Sequence, residues 1–302
     1  MSMITEITLI AVVVAVACAL PGVFLVLRGA TMVSDAITHT VLLGIVLAFF
    51  ITQDLNSPLL MIGATLVGLL TVWLIETIQR SNLVSNDAAI GIVFPLFFSI
   101  AIILITLYAG DVHLDEDAVL MGELAFAPFR RLDLMGYDLG PKSLWVMLVI
   151  LIINSFFIFF FYKELKVTTF DPAFAAAIGF SPLIIHYALM TLVSLTAVGA
   201  YDSVGSILIV GFMVGPALSG YVLTQSLNKM IGITVIMAVI NSVSGVRLAF
   251  MFDTTIAGMI AVVTGSTTLL ILIFSPKKGL FQHQISQNRA RRNLNKEIEK
   301  MA

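Results

Sequence analysis

Asp35 and His39 are the residues of this chain best able to do chemistry. They stand four apart in the run Ser34-Asp35-Ala36-Ile37-Thr38-His39. On a helix that spacing puts a carboxylate and an imidazole on one face, one turn apart. The residues that follow, Val41 to Ile51, are almost all apolar. Ionisable groups at membrane depth cost about 3 kcal/mol by insertion scales, so they usually face an interior path. A carboxylate oxygen and an imidazole nitrogen also make half of a mixed N/O site for a divalent transition metal. An imidazole ligates only when neutral, so such a site weakens as the pH falls below about 6.5. The alternative is a buried polar pair that fixes helix packing. Thr38, Leu42 and Ile45 neighbour the pair and are candidates for a narrow apolar closure; ordinary packing is again the alternative.

The surrounding chain has to hold that pair in lipid. Of 302 residues, 59% are hydrophobic and only 11% charged, with a mean hydropathy of +1.06. Soluble domains carry roughly twice that charge. A polytopic membrane helix bundle, all-α, is the class that fits. The first apolar stretch lacks a basic start and a small-residue cleavage site, so it reads as a retained span. Cys18 is the single cysteine, which excludes an intrachain disulfide and a thiolate metal cage.

A membrane span needs roughly 20 apolar residues. Candidate segments lie near 7–27, 34–51, 58–78, 88–108, 143–162, 183–199, 203–223, 230–250 and 255–274, giving eight or nine spans. Lys and Arg set the orientation. With nine spans and the basic C-terminal tail inside, twelve basic residues face the cytoplasm and four face out. The short loops alone are nearly balanced, so the tail decides.

Two connections outside the spans stand out. The outer connection 109–142 opens with His113, Asp115, Glu116 and Asp117. These read as a solvated loop, or as a negative mouth that concentrates dications. Its second half, from Phe126, is expected to form an interfacial helix. The inner connection holds Phe170, Asp171, Pro172 and Phe174, then Gly179. Asp171 suits an N-cap and Pro172 the first helical position; Gly179 is a stop signal. A short capped helix at 171–179 is thus expected, either docking a partner or packing on its own bundle. His186 is expected to be a hydrogen-bonded core or interfacial histidine, and Glu76 an interface residue. In the seventh span, Gly211 and Gly215 have the GxxxG spacing of closely packed helices.

Four stretches, in order, resemble the ABC-3 permeases, the membrane subunits of bacterial manganese, zinc and iron ABC importers. Arg28-Gly29-Ala30 through Asp35-Ala36-Ile37-Thr38-His39 resembles "R…GDAxSHAVLPG". Tyr162-Lys163-Glu164-Leu165 with Phe170-Asp171-Pro172 resembles "YKEL…FDP". Val204-Gly205-Ser206-Ile207-Leu208 to Pro216-Ala217 resembles "VGxLLVxxxxxxPAA". Phe274-Ser275-Pro276-Lys277-Lys278-Gly279-Leu280 resembles "FSPRRGLL". Two departures stand in the first: Thr38 replaces a serine and Leu43 the proline. The run Leu114 to Glu123 is closer to the manganese/iron branch than to the zinc branch.

The resemblance implies a type II-like ABC importer permease in the bacterial plasma membrane. Residues 1–280 would be the permease domain and 281–302 a basic cytoplasmic tail. The cargo would be Mn2+, or else Zn2+ or Fe2+, passing Asp35 and His39. The chain would bind no cofactor and hydrolyse nothing; ATP would be used by a partner. Partners would be a second copy or paralogue, two cytoplasmic ATPase subunits seated at 171–179, an extracellular metal-binding protein and the bilayer, with no nucleic acid.

Other classes fit less well. A vitamin- or siderophore-type ABC permease needs no acid/imidazole pair in its path. A membrane metalloenzyme would carry a closed ligand motif such as His-Glu-x-x-His, which is absent from the sequence. A stand-alone secondary transporter would show internal repeats.

Overall fold

The computed structural model describes residues 3–54, 57–108, 124–134 and 137–275. The chain forms α1 (Met3–Leu27), α2 (Thr31–Thr52), α3 (Leu59–Arg80), α4 (Asn86–Tyr108), α5 (Lys142–Phe160), α6 (Tyr162–Phe170), α7 (Pro172–Ala177), α8 (Pro182–Tyr201), α9 (Ser203–Leu223), α10 (Leu227–Phe252) and α11 (Ile256–Phe274). Among the described residues, nine of these are long and apolar enough to cross a membrane; α6 and α7 are not.

The boundary between α8 and α9 is a fold-back. Two helices meet here across a kink, where Gly205 has φ 72° and ψ 166°, a conformation open to glycine. His186 bonds Arg28, while Met213 presses on Gly22, six residues back along α1. In a straight helix His186 and Met213 would stand about 40 Å apart. Both can reach one end of α1 only if the chain reverses between them. Among the described residues nine separate spans therefore stand, the first beginning and the last ending at opposite ends of the bundle.

α1 runs through the centre. Its residues from Ile10 to Leu25 are largely buried, and the main apolar core gathers around it from α8, α9 and α10. Gly22 lets α9 approach so closely that a Cβ there would stand 2.0 Å from the Met213 carbonyl oxygen. A second core joins α2, α3 and α4 around Leu42, Val46, Val93 and Phe97.

At the Glu6 end the structure departs from expectation. In place of an interfacial helix, the chain makes one 3-10 turn (Ala127–Phe129) and a hairpin of β1 (Arg131–Leu134) and β2 (Tyr137–Pro141). Arg131 pairs with Pro141 and Leu134 with Tyr137 in antiparallel register. Arg131-Leu132-Asp133-Leu134 alternates polar and apolar residues, the period of a strand and not of a helix. Arg131 also lies 3.8 Å from Glu6, which ties the hairpin to the start of α1.

Candidate functional site

The turn into α2 is a Schellman motif. Gly29 takes φ 67°; its N–H donates to the Val26 carbonyl, and the Ala30 N–H donates to that of Leu25. This fixes the entry angle of α2, and Asp35 and His39 follow in its second and third turns. Asp35 Oδ1 and His39 Nε2 are 3.6 Å apart, with 46% of the Asp35 side chain and 20% of the His39 side chain exposed. The His39 ring packs against two α4 aromatics, with centroids 5.0 Å from Phe94 and 6.0 Å from Phe98. Among the described residues no third His, Cys, Asp or Glu joins them in a metal-ligating group. One chain therefore offers one carboxylate and one imidazole, open on the flank of the bundle.

The three neighbours are placed differently. Thr38 is fully buried, and its hydroxyl donates to the Asp35 backbone carbonyl at 2.8 Å. Leu42 is buried among the α3 and α4 side chains. Ile45 is half-buried against the main core. His113, Asp115, Glu116 and Asp117 lie outside the described residues, as does the tail at 281–302.

The capped helix forms as its residues predict. Asp171 Oδ1 accepts from the Phe174 N–H at 2.9 Å, and Pro172 opens α7. Gly179, at φ 92°, closes it with a second Schellman pair, Gly179 to Ala176 and Phe180 to Ala175. Phe170 and Phe174 are 62% and 54% exposed. Ile178, Leu183 and Ile184 are also exposed beside them, so the end of the bundle carries an apolar patch.

A polar network at that same end brings distant residues together. Arg28 Nε donates to Thr169 Oγ1 at 3.1 Å, Nη2 to Thr168 Oγ1 at 3.2 Å, and Nη1 to His186 Nδ1 at 3.2 Å. His186 bonds Glu76 through Nε2. The Tyr187 hydroxyl donates to the other Glu76 oxygen at 2.9 Å, and Arg80 lies 3.7 Å from it. Partial burial lowers the Arg28 pKa from its ordinary value, yet a guanidinium stays charged. The sequence marks His186 and Glu76 as bonded or interfacial. Nothing in it joins the two, 110 residues apart, or joins either to Arg28.

The profile of the ABC 3 transport family matches residues 1–275. The chain belongs to the ABC 3 transport family. As an ABC 3 member it is a multi-pass membrane transport subunit and not itself an enzyme. It is 44% identical over 278 residues to the zinc transport system membrane protein TroD of Treponema pallidum, covering 92% of this chain and 76% of that one. It is 40% identical over 274 residues to the manganese transport system membrane protein MntD of Bacillus subtilis, covering 91% and 92%. Its fold matches the solved structure of PsaBC from Streptococcus pneumoniae in complex with Fab. The TM-score there is 0.77 at 29% identity, over 92% of this chain and 94% of that one. The ABC 3 assignment carries the expected polytopic fold and the expectation of ABC importer partners with a substrate-binding protein.

Proposed function

We propose that this chain is the permease of an ATP-driven importer for divalent transition metal ions in the bacterial plasma membrane, with Mn2+ the first candidate and Zn2+ or Fe2+ the others. One observation carries the reading. In a transport protein whose relatives are named for manganese and zinc, the pair Asp35–His39 sits partly exposed on a flank with no third ligand among the described residues. Such a flank is completed by a second permease, a copy or a paralogue. A two-fold axis would add a second carboxylate and imidazole, a mixed N/O set suited to these metals. A site short of a closed cage also releases its ion, as conduction requires.

The orientation places the Arg28 end in the cytoplasm. Residues 1–280 form the permease and 281–302 a basic tail on that side. The patch of Phe170, Asp171, Pro172 and Phe174, closed by Gly179, seats one of two ATPase subunits, which use the ATP. Thr38, Leu42 and Ile45 act as the closure above the site. The outer run with His113, Asp115, Glu116 and Asp117 gathers cations and meets the extracellular metal-binding protein.

The test is cellular metal content by mass spectrometry, with the cognate ATPase and delivery protein present. Wild type is compared with Asp35→Ala and His39→Ala at matched membrane abundance. One metal should rise in wild type, and both variants should abolish the rise. A rise that survives both substitutions removes the pair from the transport path.

A further inference from the structure

The polar network at the Arg28 end connects four elements: the α1–α2 turn, α3, α6 and α8. A guanidinium has only donors. Since Arg28 donates to His186 Nδ1, that nitrogen is the unprotonated one, and the ring proton sits on Nε2 and is donated to Glu76. His186 is therefore a bridge with one direction of bonding, from Arg28 to Glu76. Thr168 is matched to its role as well. Its own proton goes to the Glu164 carbonyl at 2.8 Å, so its oxygen is free to accept from Arg28.

The geometry makes this a lever. Thr168 and Thr169 end α6, and the chain passes from there through Asp171 directly into α7. Arg28 is the last residue before Gly29 in the Schellman turn, seven residues ahead of Asp35. A push on α7 thus reaches Arg28 through two hydroxyls, and a rigid turn carries it into α2. Glu76, held by His186, Tyr187 and Arg80, supplies the fixed point on α3. Arg28 and His186 also border a cavity of about 460 Å3 with Gln79 and Asn86 on its wall, so the guanidinium has room to swing.

We propose that Arg28, His186 and Glu76 form a strut that passes motion of α6 and α7 to α2 and so fixes how many metal ions cross per ATP hydrolysed. They are positioning residues, and the inference rests on the transport reading above.

The experiment uses the full complex, with ATPase and delivery protein, in liposomes. Mn2+ uptake and phosphate release are measured in the same vesicles. Arg28→Gln should keep ATP hydrolysis within about twofold and cut the ions moved per ATP at least tenfold. Thr169→Val, which keeps the shape and removes one acceptor, should cut that ratio about threefold. A wild-type ratio in both variants overturns the strut. So does a parallel fall of uptake and hydrolysis, the mark of a merely structural role. A second readout needs no metal. In a Cys18→Ser background, Met32→Cys reports on α2 by its thiol-labelling rate with and without ATP. ATP should change that rate, and Arg28→Gln should erase the change. No change in the unaltered strut, or a change that survives Arg28→Gln, overturns the proposal. A labelling change without Mn2+, Zn2+ or Fe2+ uptake in wild type counts against the metal reading and leaves the strut standing.

Discussion

The side-chain amide of Asn154 stands in for a backbone N–H that Pro21 lacks. Proline cannot donate to the carbonyl four residues back, which in α1 is that of Ala17. Asn154 Nδ2 on α5 donates to this carbonyl at 3.0 Å and to Thr196 Oγ1 at 2.8 Å. In lipid an orphaned carbonyl has no water to turn to, so a neighbouring helix supplies the partner. Asn154→Leu should cost about 1–3 kcal/mol. Pro21→Ala returns the N–H, so the same leucine should cost less in that background. Thermal unfolding of the four proteins in detergent closes the cycle; additive effects would deny the link.

The two glycines of the GxxxG run should behave differently. A Cβ at Gly215 would meet Thr264 Cγ2 at 2.5 Å, whereas one at Gly211 meets nothing within 4 Å. Gly215→Ala should destabilise by about 1–3 kcal/mol through overpacking. Gly211→Ala should be neutral, or stabilising by up to about 1 kcal/mol from helix propensity. Apparent Tm in detergent separates them.

Removing the cap on α7 should weaken ATPase attachment without touching the membrane bundle. Asp171→Ala loses the bond to the Phe174 N–H, worth about 1 kcal/mol, while Asp171→Ser retains an acceptor. Co-purified ATPase should fall roughly fivefold in the alanine variant and little in the serine variant, with the Tm of the bundle unchanged.

Phe94 and Phe98 hold the His39 ring in place. Such aromatic contacts are worth about 0.5–1.5 kcal/mol. Phe94→Leu should therefore raise the Mn2+ concentration for half-maximal uptake roughly two- to tenfold and leave the maximal rate nearly intact. An unchanged concentration dependence would mean that the ring is oriented by other contacts.

The sequence carries a good deal of this in local signals. The spans follow from apolar length, and the cap and stop of α7 follow from Asp171, Pro172 and Gly179, because each acts within one turn of chain. The i,i+4 relation of Asp35 and His39 is local for the same reason. What is not legible depends on distant partners. Gly211 and Gly215 look alike until a neighbouring helix is brought against one of them. Asn154 is an unremarkable polar residue until Ala17, 137 positions away, needs a donor. Arg28, Glu76 and His186 share no spacing rule at all. The hairpin at 131–141 was written in the two-residue alternation of Arg131 to Leu134, a signal that the apolar run before it obscures.

The central helix has an electrical consequence. Between Glu6 and Arg28, α1 holds no charged residue and is mostly buried, so the middle of the bundle is an insulating column. On the proposed route past Asp35 and His39, a dication would move two charges through the membrane field, at roughly 2.3 kcal/mol per charge for each 100 mV. An inside-negative membrane would itself draw the ion inward. The energy of ATP would then be directed to opening and resetting the path, with the voltage assisting the passage of the ion.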